Sequence, residues 1–83
     1  MRVEVTLPDL GEDSVGGVTV AGWLAPAGAA LHQGDDLIEL TTDKAAFTLP
    51  CPRDGTLVST LVAEGDDIAV GTALCVLEVP DQS

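Results

Sequence analysis

Eighty-three residues bound the chain to a single domain, one that buries about 60–65% of the surface its unfolded chain would expose and has no room for a second lobe. Fourteen acidic side chains against three basic ones give a formal net charge of −11, which excludes nucleic acid as a partner, since counterion release needs a cationic face, and opposes binding to an anionic membrane. Hydrophobic residues make up 46%, yet tyrosine is absent and Trp23 and Phe47 are the only aromatics, so the core must be built of Val, Leu, Ile and Ala, a composition that suits many short strands.

In chain order, Met1-Arg2-Val3-Glu4 leads straight into alternating residues with no signal-peptide pattern, and no apolar run reaches membrane-spanning length; a cytoplasmic protein is expected. Alternation of aliphatic or β-branched residues predicts strands over Arg2–Leu7, Val18–Leu24, Leu37–Thr41, Ala46–Leu49, Thr56–Val62 and Ala73–Val79. Glycine and proline recur at short intervals between them and leave no room for a long helix. The stretch from Ala21 to Ala30 has helix-forming alanines, but Gly22, Pro26 and Gly28 interrupt it, so it reads as a strand running into a turn. Cys51 and Cys75 show neither zinc spacing nor a redox motif and read as reduced, small apolar fillers, with a disulfide or a reactive thiol as the alternative. Gly34-Asp35-Asp36 and Gly65-Asp66-Asp67 lack the ligand spacing of a calcium loop and read as turns; no metal is expected. His32 falls in a loop with no second imidazole and no serine nucleophile motif, and Trp23 and Phe47 fall within strands as packed residues rather than a ligand platform.

Sliding the chain along itself by 37 residues superimposes Leu24 on Leu61, Gly28 on Gly65, Leu31 on Ile68, Gly34 on Gly71, Leu37 on Leu74 and Leu40 on Leu77. Two copies, each too short to bury its own apolar face, imply two halves packed together about an approximate two-fold axis. The expected fold is all-β, a flattened antiparallel sandwich or barrel with internal quasi-two-fold symmetry. Asp43 and Lys44 fall where the halves join, between a strand ending near Thr41 and one beginning near Ala46, so a hairpin tip is expected to display the chain's only lysine. A lone surface lysine is ordinarily no more than a solvated charge; here its place in the whole pattern matters.

That pattern is Leu7-Pro8-Asp9-Leu10-Gly11-Glu12, Trp23-Leu24, Gly34-Asp35, Glu39-Leu40, Thr42-Asp43-Lys44-Ala45, Pro52-Arg53-Asp54-Gly55 and Glu64-Gly65-Asp66. From Val3 to about Val79 it resembles the lipoyl domains of 2-oxo-acid dehydrogenase complexes, in the biotinyl/lipoyl-attachment family. The resemblance implies two four-stranded sheets in a hammerhead-type domain over residues 1–79, with 80–83 beginning a linker. It implies that a lipoate ligase or lipoyl transferase joins lipoic acid to Lys44 as an amide, with Asp43 and Ala45 as recognition residues of the turn; turn formation by the Asp43 side chain is the structural alternative. It implies a non-catalytic carrier whose arm visits a thiamine-diphosphate-dependent 2-oxo-acid decarboxylase, an acyltransferase core and a dihydrolipoamide dehydrogenase. Leu7, Pro8, Asp9, Leu10, Gly11 and Glu12 begin a loop that in similar domains helps the decarboxylase choose its partner; a solvated acidic loop is the alternative. The parent is expected to be a dihydrolipoamide acyltransferase, with this as its N-terminal domain.

Two features depart from the commonest lipoyl pattern. Thr41 stands where an acid often precedes Thr-Asp-Lys, and Ala25-Pro26-Ala27-Gly28-Ala29-Ala30 replaces a charged turn, which bears on partner specificity and the shape of that turn. A biotin carrier shares the fold but usually flanks its lysine with methionine, whereas Asp43 and Ala45 flank Lys44 here. An unmodified docking module and an independent enzyme are the remaining rivals, and no catalytic triad, metal cluster or phosphate-binding glycine loop supports the latter.

Overall fold

The alternating segments form strands because each can turn one aliphatic row inward and leave hydroxyl and carboxylate side chains in water. The structure is a computed structural model that describes residues 1–9 and 17–80. Its eight strands are β1 (Arg2–Thr6), β2 (Val18–Trp23), β3 (Ala30–Leu31), β4 (Asp36–Thr41), β5 (Ala46–Pro50), β6 (Gly55–Thr60), β7 (Asp67–Ile68) and β8 (Ala73–Glu78). They make two antiparallel four-stranded sheets, ordered β1-β8-β6-β3 and β5-β4-β2-β7. All-β architecture, the two sheets and the sandwich agree with expectation. The alternation revealed six strands; β3 and β7, two residues each, are too short to show a period.

The 37-residue repeat is a repeat of structure. It carries β2 onto β6, β3 onto β7 and β4 onto β8, and the two sheet orders coincide once β1 is placed on β5. Hydrogen bonds repeat as well: Gly28 N–H donates to Leu57 and Gly65 N–H to Val20, at 2.7 and 2.8 Å, while Leu24 N–H reaches Leu37 and Leu61 N–H reaches Leu74, at 3.0 and 2.8 Å. Even the irregularities match, since β2 shifts register against β4 between Val20 and Gly22 and β6 shifts against β8 between Leu57 and Ser59. A second pair of shifts lies where β4 meets β5 and where β1 meets β8. Beside these, two successive residues turn inward, Leu37 with Ile38 on β4 and Leu74 with Cys75 on β8, all four essentially without solvent exposure. A bulge thus interrupts the strict alternation that the sequence suggests.

The core between the sheets is aliphatic, with no buried polar or charged side chain among the described residues. The repeat pairs Leu31/Ile68, Leu37/Leu74 and Leu40/Leu77 all lie in it, each such side chain adding roughly 1.5–3 kcal/mol of burial. Leu24 and Leu61 are the exception, both 48% exposed at equivalent strand ends. Trp23 packs against the core and donates its indole N–H to the Val62 carbonyl at 2.9 Å. The paired ends of the chain are pinned together: the Met1 ammonium lies 2.9 Å from Glu78 Oε2 and holds that carboxyl below its usual range, with Arg2 adding to the effect.

Cys51 and Cys75 are free and buried, as fillers should be. Burial, with the neighbouring Cys51, pushes the Cys75 thiol up to about 11. Because burial bars a reagent from both sulfurs, and for Cys75 the reactive thiolate is also disfavoured, a thiol reagent at pH 8 is expected to label neither cysteine in the folded domain and both in urea; rapid native labelling would contradict their placement.

Two glycines separate two kinds of constraint. Gly28 and its counterpart Gly65 have φ of 93° and 92°, the left-handed region that L side chains rarely adopt, with nothing within 4 Å of where a Cβ would stand. Gly55 is the converse: its φ is ordinary, but a Cβ would lie 2.6 Å from the Glu78 carbonyl oxygen. Gly28→Ala is expected to cost about 1 kcal/mol through backbone conformation, and Gly55→Ala roughly 1–3 kcal/mol through the clash. Urea unfolding of the two variants checks both, and an unchanged midpoint in either would remove the corresponding constraint.

Candidate functional site

The connection between β4 and β5 is built on a firm base. Leu40 is fully buried on β4, and Thr41 pairs with Ala46 as the last rung of the ladder. Beyond it the Thr42 N–H donates to the Ala45 carbonyl at 2.8 Å, leaving Asp43 and Lys44 to turn the chain. No non-glycine residue described has positive φ, so the primed two-residue turns common in hairpins, which need it, are not used here.

The turn is closed by a side chain instead. The Thr42 hydroxyl accepts the Lys44 and Ala45 N–H groups, each at 3.2 Å, and donates to the Ala45 carbonyl at 3.3 Å. A hydroxyl has one donor and two acceptor sites, so all three are used. Thr42 was legible in the sequence only as part of a motif; the side-chain bonding considered for Asp43 belongs to its neighbour. The Asp43 carboxylate makes no hydrogen bond among the described residues and is displayed with Lys44, Ala45 and Ala46, all exposed. Lys44 is exposed and has no ion-pair partner among the described residues. Small side chains, Ala45 and Ala46, follow it on the strand side.

Beside the tip lies a polar cleft of about 560 Å³ lined by Gly17, Val18, Thr19, Thr41, Thr42, Asp43 and Asp67. Thr19 on β2 donates to Asp67 Oδ1 on β7 at 3.0 Å, so one of its two carboxylates is tied across the sheet. Of the loop residues singled out for partner recognition, Leu7 is a core residue whose backbone bonds to Thr72 and Gly71; it anchors the loop, while Pro8 and Asp9 are exposed. Leu10, Gly11 and Glu12 lie outside the described residues. The chain resumes at Gly17 and Val18 in the wall of the cleft, next to the tip.

The other candidates fall into structural roles. The Asp35 and Asp66 carboxylates accept the N–H groups of His32 and Ala63 at 2.9 and 2.8 Å, as turn residues do. His32 is an exposed loop residue with its Nδ1 3.9 Å from Asp54 Oδ1. Phe47 is half-buried on β5 opposite Leu40. A second cleft of about 370 Å³, between the edges of β1 and β5, is walled by Val3, Val5, Leu49 and Pro50 and holds no lysine, serine or cysteine; Pro50 there removes an N–H group from the exposed edge of β5.

Residues 3–77 match the sequence model of the family described as biotin-requiring enzyme. The dihydrolipoyllysine-residue acetyltransferase components of pyruvate dehydrogenase complexes from Staphylococcus aureus and Staphylococcus epidermidis are 35% and 36% identical to the chain over 81 residues, 98% of it, and the chain spans about a fifth of their length. The solution structure of the lipoyl domain of the 2-oxoglutarate dehydrogenase complex from Azotobacter vinelandii superimposes with a TM-score of 0.75 at 25% identity, over 95% of this chain and 99% of that one. A single-chain, multi-domain long-chain acyl-CoA carboxylase shares the fold, with a TM-score of 0.73 at 21% identity over 99% of this chain and 7% of that one.

The chain belongs to this family of biotin- and lipoyl-bearing domains. Within it, the chain is a lipoyl domain, a carrier module of the kind found in acyltransferase components.

Because Lys44 buries little and pairs with nothing described, Lys44→Ala is expected to change stability by no more than about 0.5 kcal/mol. Thermal unfolding checks it, and a large loss would show that the lysine is part of the structure rather than displayed by it.

Proposed function

We propose that Lys44 carries lipoic acid as an amide on Nζ, and that the domain moves acyl groups and reducing equivalents between the active sites of a 2-oxo-acid dehydrogenase complex. The observation that carries this reading is the display of the chain's only lysine at the apex of a hydrogen-bonded hairpin on a lipoyl-domain fold. An attached arm raises the effective concentration of its cargo at successive active sites only if its root is exposed and held in place. Thr42, the buried base of β4 and the small residues after Lys44 meet both needs. Bound lipoate would supply a dithiolane that accepts an acyl group on one sulfur while the other is reduced to a thiol. The protein's own part is to hold the root, keep Lys44 Nζ accessible and present Asp43 and Ala45 as the surroundings by which the turn is recognised.

The partners we infer are a lipoate ligase or lipoyl transferase, a thiamine-diphosphate-dependent decarboxylase, an acyltransferase core and dihydrolipoamide dehydrogenase, with the domain part of a dihydrolipoamide acyltransferase. The names of the Staphylococcus relatives and of the Azotobacter complex support that setting. Exposed Pro8 and Asp9, and the cleft where the loop rejoins β2, are the surface we assign to the decarboxylase; the acidic charge of the chain suits a basic partner patch. We take residues 1–79 as the domain and 80–83 as the start of a linker. A cytoplasmic setting is supported by two unpaired cysteines, which suit a reducing compartment.

A biotin carrier is the second reading, favoured by the family's description and the carboxylase match. Asp43 and Ala45 in place of methionines favour lipoate. Incubation with a lipoate ligase or a biotin ligase, each with its acid and ATP, followed by intact mass and peptide mapping, separates the two. One lipoyl amide on Lys44 and none from biotin is expected; a biotinyl adduct, or none from either enzyme, would overturn the proposal.

A further inference from the structure

We infer that the Thr42 hydroxyl is a positioning residue for the modification of Lys44: it holds the tip in the conformation that the lipoylating enzyme binds. The inference rests on the carrier reading above and adds to it the group that makes the lysine presentable.

In the attachment step the neutral amine of Lys44 attacks the carbonyl of an activated lipoyl donor, an acyl adenylate. The C–N bond forms, the C–O bond to the adenylate phosphate breaks, adenylate leaves with the electron pair, and one amine proton passes to solvent or a base of the enzyme. Nothing within the hairpin assists that chemistry, since Asp43 and the described residues about it offer Nζ no partner. What the domain controls is where the amine stands. Thr41 and Ala46 close the ladder, and from there to the apex the chain has one backbone hydrogen bond, Thr42 N–H to Ala45. The remaining order comes from one oxygen, which takes the N–H groups of both Lys44 and Ala45 and donates to the Ala45 carbonyl. All three residues held or flanked in this way, Asp43, Lys44 and Ala45, are those the enzyme must meet, and all are exposed. There is no glycine or proline in Thr42-Asp43-Lys44-Ala45 to restrict the backbone by other means.

Without the hydroxyl the tip keeps its ladder and loses its apex bonds. The folded domain remains, but the conformation that the enzyme binds becomes a fraction of the population, and apparent affinity falls by that fraction. The signature is a raised KM for the domain with kcat preserved, since once bound the amine meets the same donor. A residue that merely stabilised the fold would shift the melting temperature and leave KM alone well below it.

The experiment compares the parent chain with Thr42→Val, which keeps the shape and β-branching but not the hydroxyl, and Thr42→Ser, which keeps the hydroxyl. Lipoylation by a lipoate ligase with lipoate and ATP is followed by mass, and amide exchange at Lys44 and Ala45 by NMR. Thr42→Val is expected to raise KM about tenfold, the scale of losing a pair of modest hydrogen bonds, with kcat within about twofold and faster exchange at both amides; Thr42→Ser is expected to restore KM and protection. A KM for Thr42→Val equal to that of the parent, or a serine variant that behaves like valine, would overturn the positioning role while leaving the carrier reading intact. A parent chain that takes no lipoate would overturn the carrier reading and this role with it.

Discussion

Two related apolar faces, neither able to hide itself, close on one another, and the rest of the structure follows from that closure. Each half of the repeat offers a row of leucines and valines along strands two to six residues long, and only the other half can cover it. Because the core has no buried polar or charged side chain among the described residues, it holds without specific polar pairs, and stability rests on the fit of aliphatic side chains between the sheets. The bulges are part of that fit: they turn two neighbouring residues inward on β4 and again on β8, thickening the core where strict alternation would put one of them in water. With the interior occupied by packing, chemistry is left to the surface.

The symmetry also decides where the surface can act. The two-fold places the β4–β5 tip in one half where the other half has the paired chain ends, tied by Met1, Arg2, Glu78 and Val79. One of these equivalent places fixes the ends of the domain; the other is a closed turn that is free to project a side chain. Lys44 occupies the free one. Its surroundings divide the work between backbone ladder, which fixes the direction of the hairpin, and the Thr42 hydroxyl, which fixes its apex. A carrier needs no more of its protein than this, since an arm that must visit several active sites is served by a rigid root and an unencumbered path.

Much of this was legible in the residues. The 37-residue spacing revealed the two halves because the same leucines and glycines do the same work in each, down to the positive φ at Gly28 and Gly65. The display of Lys44 followed from its place between two apolar runs. What escaped has physical reasons. β3 and β7 are two residues each, shorter than one period of alternation, and the bulges depend on how strands pair across the sheet rather than on any one of them. Gly55 reads as a turn residue, yet its need is the closeness of the Glu78 carbonyl, a contact 23 residues away in sequence. Thr42 is one of two hydroxyls in Thr41-Thr42, and only the fold shows which oxygen faces the turn. Leu7 belongs to a motif that draws the eye to partner recognition, but the burial of its side chain makes it the anchor from which the exposed residues after it depart.

The most direct measurement of the central claim is the mass of the lipoylated domain after incubation with a thiamine-diphosphate-dependent decarboxylase and its 2-oxo acid, run in parallel for pyruvate, 2-oxoglutarate and a branched-chain acid. One of the three is expected to add an acyl group and one hydrogen to the arm on Lys44, at a rate far above that of free lipoamide at equal concentration. A lipoylated domain that accepts no acyl group from any of them, or accepts it no faster than free lipoamide, would contradict it.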